Sequence, residues 1–242
     1  MSKTLIANWK MNLTVGESLK YIEILKRRNA EVVLAAPFTF LLKIKTLAGQ
    51  NKIKLAAQNV SQFTEGAYTG EVSAKMLKEA GCSYCLVGHS ERRIYFQEND
   101  TQVNQKVKNL LQYKITPIIC IGETAQQRSK GLTKRVIKAQ LKVSLAGIKN
   151  VPLLIAYEPV WAISTFQKGK IIKSAGINDI IAAHNYIRSL LPAYSRNFKV
   201  IYGGTVNPQN SKAILGLKQV DGALVGGASL KVSSFNAIIQ ST

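Results

Sequence analysis

Glu158 closes an apolar run, Leu153-Leu154-Ile155-Ala156-Tyr157, and Pro159 follows it at once. An ionisable group where a buried run stops is costly unless water, a partner or a ligand meets it. Proline keeps the chain from running straight into a helix, so the backbone must turn out of the strand here. A carboxylate held at the carboxyl end of a parallel strand is where an α/β enzyme keeps a base. A strand-end carboxylate that simply faces solvent is the competing reading, and this segment alone leaves both open. Other polar groups stand in comparable places: Asn8 and Lys10, then Gln58 and Asn59, then His89 with Ser90-Glu91-Arg92-Arg93, then Glu123. Gly203-Gly204-Thr205 and Gly226-Gly227 follow the last two apolar runs. Histidine and glutamate can exchange protons with a substrate, and a lysine offers a fixed charge to a developing oxyanion. Glycine pairs let backbone N–H groups approach an anion closely, which makes a phosphate grip. One such pair is weak evidence. Two after adjacent strands, facing a lysine and a carboxylate, are much stronger.

The elements that must position these groups alternate throughout. Apolar runs of strand length cover 4–7, 32–35, 53–57, 84–87, 116–121, 153–157, 199–202 and 220–225. Most do not alternate with polar residues, as expected for strands covered on both faces. Amphipathic stretches of helical length lie between them, at 18–28, 101–113, 134–144 and 178–191. Pro37 and Pro208 stand where helices can begin, and Gly81 closes the helix that contains Met76 and Leu77. Eight strand-then-helix units without a composition break predict one domain, 1–242, folded as a closed (β/α)8 barrel of the α/β class. A doubly wound open sheet would place a glycine-rich turn after its first strand, where Asn8-Trp9-Lys10 stands instead. In a barrel all the strand ends named above meet at one face.

Composition narrows the function. The 242 residues are 46% hydrophobic and 19% charged, ordinary for a chain with a substantial core. No apolar run approaches the length of a membrane span, and Met1-Ser2-Lys3 leads directly into the first strand, so neither a membrane segment nor a cleaved signal is expected. Three cysteines fit a reducing cytoplasm. Cys82 and Cys85 form a lone C-x-x-C with two histidines in the whole chain, and strand packing accounts for Cys85 and Cys120 better than a zinc site does. The net charge is +20, with no acidic residue between Glu123 and Glu158. Lys134, Lys138 and Lys142 share a helical face without aromatic residues among them, so a solvated surface is expected there rather than a nucleic-acid partner. A positive field also raises the encounter rate of a phosphorylated substrate.

The chain resembles the triosephosphate isomerase family. The resemblance rests on Ala7-Asn8-Trp9-Lys10-Met11-Asn12, Ala57-Gln58-Asn59-Val60-Ser61 and Tyr68-Thr69-Gly70-Glu71-Val72-Ser73. It continues with Val87-Gly88-His89-Ser90-Glu91-Arg92-Arg93, Cys120-Ile121-Gly122-Glu123 and Ala156-Tyr157-Glu158-Pro159-Val160-Trp161-Ala162-Ile163. It ends with Tyr202-Gly203-Gly204-Thr205-Val206-Asn207 and the segment from Val220 to Leu230, so it runs the whole length in order. It implies a TIM barrel in which Glu158 moves a proton between the two carbons of a triose phosphate through an enediolate. His89 would polarise the carbonyl as a neutral imidazole, Lys10 and Asn8 would meet the oxygens, and Glu91 would orient the site by holding Lys10. Ser164, Thr205, Gly226 and Gly227 would bind the phosphate, and no metal or organic cofactor is implied. Arg188 and Asp221 are expected to form a structural ion pair, and Cys120 to pack. The segment from Gln62 to Ser73 resembles the family's protruding loop, so a homodimer in which Thr69 reaches the partner's site is expected.

One stretch departs from the family pattern. Where the family usually has a Gly-Thr-Gly-Lys lid tip, this chain has Ser164-Thr165-Phe166-Gln167-Lys168-Gly169 and a longer path to the next helix. Phenylalanine at a position that needs φ > 0 is strained, so the lid is expected to close by another path, close incompletely, or use Gly169. The alternative to an isomerase is a catalytically weakened paralogue whose altered lid leaves a phosphosugar-binding or anionic-surface-binding protein.

Overall fold

The computed structural model describes residues 2–167 and 174–242. Eight parallel strands follow one another around a closed barrel: β1 Thr4–Asn8, β2 Glu31–Ala36, β3 Lys54–Ala57, β4 Cys82–Val87, β5 Thr116–Ile121, β6 Leu153–Tyr157, β7 Phe198–Tyr202 and β8 Gly222–Val225. The ring closes where Leu5, Ile6 and Ala7 pair with Ala223, Leu224 and Val225. The eight expected strands all form, with ends shifted by up to two residues. Val220 and Asp221 fall outside β8: the Val220 amide bonds Leu217 O in the preceding turn, and the Asp221 amide bonds Val200 O of β7.

Between the strands lie α1 Val15–Ile24, α2 Phe38–Gln50, α3 Ala74–Glu79, α4 Ser90–Tyr95, α5 Asp100–Gln112, α6 Ala125–Ser129, α7 Thr133–Ser144, α8 Ile177–Leu190, α9 Ser211–Leu215 and α10 Val232–Gln240. Side chains set several of their starts. Thr14 and Glu17 form a capping box that opens α1 three residues before the expected 18. Leu25 then turns extended, so the helix stops four residues short of the expected 28. Asn99 and Gln102 form the same box at α5. Pro37 caps α2 as expected, but Pro208 starts no helix. Asn207 and Asn210 bond each other's backbone there in a turn, and α9 begins at Ser211.

Two cores result. Inside the barrel, Ile6, Val33, Leu86, Ile118, Leu154, Ile201 and Leu224 fill the axis with alanines from β2, β3 and β6. Outside, neighbouring residues of the same strands pack on the helices. That alternation explains why the strand runs are apolar without a break. The floor of the barrel is polar. Glu31 accepts from Lys54 (2.6 Å), Lys199 (3.1 Å), Tyr84 (2.9 Å) and Thr4 (2.9 Å). Burial opposes ionisation of Glu31, but these donors outweigh it and hold its carboxyl at about 2. One carboxylate shared by two ammonium groups thus closes the bottom, and the opposite end is the open mouth.

Behind β6 and β7, His184 of α8 is fully buried. Its Nδ1 lies 3.2 Å from Gln219 O, and its Nε2 has no partner among the described residues. Burial pushes its pKa down to about 4, so the native state refuses a proton that the unfolded chain accepts below about 6.5. Folding stability therefore falls as pH drops from about 6.5 towards 4, and levels off below that, by roughly 3 kcal/mol from this group. Urea unfolding across that window should show the slope, and a His184→Asn variant should lack this part of it; equal slopes in both proteins contradict the assignment.

Candidate active site

The strand ends converge on a cavity of about 270 Å³ lined by Asn8, Lys10, His89, Glu158, Ser164 and the glycines after β7 and β8. Glu158 is 2% exposed although it stands just past β6. The amide of Ser90 donates to its Oε2 (3.0 Å), and its Oε1 lies 3.3 Å from His89 Nε2. Two glycines make room for it. A Cβ on Gly203 would come within 2.7 Å of Glu158 Cγ, and one on Gly122 within 1.9 Å of its carbonyl oxygen. Cys120 sits beneath it, and burial together with the adjacent carboxylate pushes that thiol well up, so it remains protonated packing.

His89 caps α4. Its Nδ1 accepts from the amide of Glu91 (3.3 Å), so in the neutral ring the proton is on Nε2, which faces the cavity and lies 3.4 Å from Asn8 Nδ2. Lys10 crosses from the other side. Its backbone has φ of 52°, a left-handed conformation that a non-glycine residue keeps only when its surroundings impose it. The surroundings do so: Asn8 Oδ1 accepts from its amide (3.1 Å) and Gln58 donates to its carbonyl (2.9 Å). Glu91 receives its ammonium at 2.7 Å, the contact expected of that pair. A Cβ added to Gly226 would lie 3.5 Å from Lys10 Cε, so that glycine borders the lysine directly, whereas one added to Gly227 would meet open space.

The phosphate-side residues are arranged less simply than their sequence suggested. Ser164, Thr205, Gly226 and Gly227 all line the cavity. However, Thr205 gives both its amide (3.0 Å) and its hydroxyl (2.7 Å) to Ala162 O at the root of the lid. The strain expected at Phe166 does not arise, because Ser164–Gln167 forms a right-handed 3-10 turn. The possible hinge Gly169 lies outside the described residues. Thr69 is exposed in its loop and does not belong to this chain's own cavity. Arg188 and Asp221 are paired as expected. Among the described residues no three His, Cys, Asp or Glu side chains gather as metal ligands.

Two supports have no role assigned from the sequence, although Glu123 stands among the strand-end polar groups. Glu123, fully buried, accepts from Trp161 Nε1 (2.8 Å) and from Tyr157 OH, and so fixes the first turn of the lid. The Arg128 guanidinium covers the other side of Trp161 at 3.9 Å and bonds Asp179 of α8 at 2.9 Å, tying the two ends of the lid together. The second support is Glu98, which accepts from Gly88 N (2.9 Å), Arg92 Nε (2.6 Å) and Lys106 Nζ. Burial opposes its charge, yet Lys106 and Arg92 hold its carboxyl below the usual range, while burial also lowers Lys106. The pair anchors the residue before His89. Its sequence signal is Lys106 itself, which shares the core-facing side of α5 with Val103, Val107 and Leu110 and so requires a buried anion.

Comparison with known proteins follows the same lines. A family profile described as "Triosephosphate isomerase" matches residues 3–242. The chain is 46% identical to the triosephosphate isomerase of Alkaliphilus metalliredigens, covering 99% of this chain and 100% of that one. It is 43% identical to that of Dictyoglomus turgidum, covering 99% of each. A crystal structure of triosephosphate isomerase from Bartonella henselae superposes with a TM-score of 0.88 at 34% identity, covering 100% of this chain and 99% of that one.

Removing one member of the Glu98–Lys106 pair leaves a buried charge alone. Glu98→Gln is expected to cost about 3–5 kcal/mol in chemical unfolding, and adding Lys106→Met should recover most of it. A loss below about 1 kcal/mol in the single variant contradicts this role.

Proposed function

Because the chain belongs to the triosephosphate isomerase family, we propose that it interconverts dihydroxyacetone phosphate and D-glyceraldehyde 3-phosphate with Glu158 as the base. The observation that carries this reading is a buried carboxylate 3.3 Å from a histidine nitrogen that bears a proton, across a cavity with a lysine on its wall. Glu158 takes a proton from the carbon beside the carbonyl. The electron pair left behind forms an enediolate, and His89 Nε2–H donates to the oxygen that gains charge. Lys10 and Asn8 stabilise that oxygen, and Glu91 holds Lys10 in place. His89 gives its Nε2 proton to that oxygen and recovers one from the neighbouring hydroxyl, and Glu158 then returns its proton to the neighbouring carbon as the second carbonyl forms. Ser164, Thr205 and the glycines after β8 hold the phosphate, with Thr205 exchanging Ala162 O for it as the lid moves. The chemistry is that of glycolysis and gluconeogenesis, carried by one catalytic unit over 1–242. The three buried free cysteines support a reducing cytoplasm.

We further propose a homodimer. A second cavity of about 320 Å³ adjoins the first and is lined by Lys10, His89 and Glu91 on its inner side and by Met11, Phe38 and Phe96 on its outer side. Met11 is 95% exposed and Phe96 66%, large apolar areas for a chain on its own. The loop 62–73 is closed at its base by Ser61 N to Val72 O, and Phe63 stacks on Tyr68 with centroids 3.8 Å apart, so it protrudes as a stiff unit. A partner's loop entering this cavity would cover the site's open side and bring Thr69 to it. A binding-only paralogue is less well supported, because Ser164 of the altered lid lines the same cavity as Glu158.

Purified protein should isomerise glyceraldehyde 3-phosphate, and Glu158→Gln should lower kcat by about 10³-fold with KM changed little. More methylglyoxal per turnover than from a relative with the glycine-containing tip is expected if Ser164 and Phe166, standing in place of its glycines, leave closure incomplete and the enediolate open to phosphate loss. Binding without turnover in the unaltered chain would favour the paralogue instead. Sedimentation at micromolar concentration should give the mass of two chains, and Phe96→Glu should give one; a monomer throughout contradicts the dimer.

A further inference from the structure

The helix-to-strand connections all emerge at the floor of the barrel, opposite the cavity, and their charge is one-sided. Lys26-Arg27-Arg28 lies in the connection from α1 to β2, and Lys52, Lys114, Lys149, Arg196 and Lys218 each occupy one of the others. All eight side chains are exposed. The one carboxylate in these connections, Asp221, is held by Arg188 and by the amide of Val200. The catalytic-side loops are different, for they contain Glu65, Glu71, Glu98, Glu123 and Glu158. The linear sequence draws attention to the lysines of α7. The fold instead gathers a separate set of cations from distant segments onto one surface.

Cations at helix carboxyl ends are favoured by the helix dipole, which accounts for about one per helix. It does not account for three in succession after α1. Those three border a cavity of about 460 Å³ whose other lining residues are Ile239 and Gln240, with no carboxylate among them. Arg28 donates to Gln240 O at 2.7 Å and Arg27 to Asn51 O at 3.5 Å. Each guanidinium spends one donor in being positioned and keeps the rest of its fork for an anion.

We propose that the floor binds duplex nucleic acid through its phosphate backbone, without sequence preference. Cations spread over a face suit a polymer of regularly spaced phosphates rather than one small anion. The exposed large apolar side chains lie on helices and catalytic-side loops, with Ile24 in the last turn of α1 the nearest. The aromatic residues of the floor connections, Tyr113 and Tyr194, are partly buried against the core, so the described floor connections offer no exposed aromatic platform for single-stranded bases and no exposed apolar wedge for a lipid surface. Because the cavity opens at the other end, binding on the floor leaves substrate access unobstructed.

The test is fluorescence anisotropy of a labelled duplex of about 20 base pairs, titrated with the full chain between about 50 and 200 mM salt. Binding is expected with Kd on the order of 1–100 µM near physiological salt, weakening linearly on a log–log plot. Reversing Lys26, Arg27 and Arg28 to glutamate should weaken it at least about 10-fold and reduce the salt slope by about three. Reversing Lys134, Lys138 and Lys142 changes net charge equally on another face and should weaken it less than about 3-fold. A thermal melt checks that each variant is folded, and Lys26→Gln, Arg27→Gln, Arg28→Gln replaces the first set if reversal unfolds it. Equal losses in the two variants would reveal a response to net charge alone and overturn the proposal. Absence of duplex binding, or tighter binding to phosphatidylglycerol vesicles, would overturn it as well.

Discussion

Glu158 is buried at the mouth of the barrel, and the free energy of holding a carboxylate there has to be met by donors delivered from other strands. The Ser90 amide after β4 supplies one, and His89 stands at the other oxygen. Each of those is positioned in turn. His89 is fixed by the turn at Gly88, whose amide is bound by Glu98, and Glu98 is neutralised by Lys106 and Arg92. The residues in contact with the cavity are few. The ones that keep them there reach back through α4 to Lys106 on α5.

The two ends of the barrel handle charge differently. At the floor, Glu31 is satisfied fully by Lys54, Lys199, Tyr84 and Thr4, which makes a rigid closed plug. At the mouth the ionisable groups are held at their edges, with one face of each turned to the cavity: Lys10 by Glu91, His89 by the Glu91 amide, Glu158 by the Ser90 amide. Left-handed backbone occurs at both ends, at Lys10 beside the cavity and at Lys52, Lys114 and Asn150 in the floor connections. Polar groups at the floor are spent on one another inside the plug, whereas those at the mouth keep capacity for a substrate.

Much of this was legible in the sequence because strand periodicity and glycine placement are local signals. Unbroken apolar runs identified all eight strands, and most residues just past their ends line one cavity, while Gln58 and Asn59 line the one beside it and Glu123 lies behind the lid. The misses have physical causes. The start of α1 was set by a Thr14–Glu17 capping box rather than by its apolar face, and Pro208 was outcompeted by the Asn207–Asn210 turn. Thr205 lines the cavity, but the bonds from its hydroxyl and amide to Ala162 O join segments 43 residues apart and left no local signal. Glu98 went unnoticed because its partner, Lys106, lies on another element, although a lysine on a helix's core face already signals a buried anion. Phe166 was expected to be strained because the family pattern was laid over a lid that folds as a 3-10 turn.

The central claim is that Glu158 moves a proton between adjacent carbons through an enediolate. Isomerisation of dihydroxyacetone phosphate in deuterium oxide, followed by proton NMR of the product, tests it most directly. The account predicts deuterium at the carbon beside the aldehyde of glyceraldehyde 3-phosphate, with both turnover and label lost in Glu158→Gln. Rapid product formation without any deuterium, or labelling that survives in the variant, would contradict it.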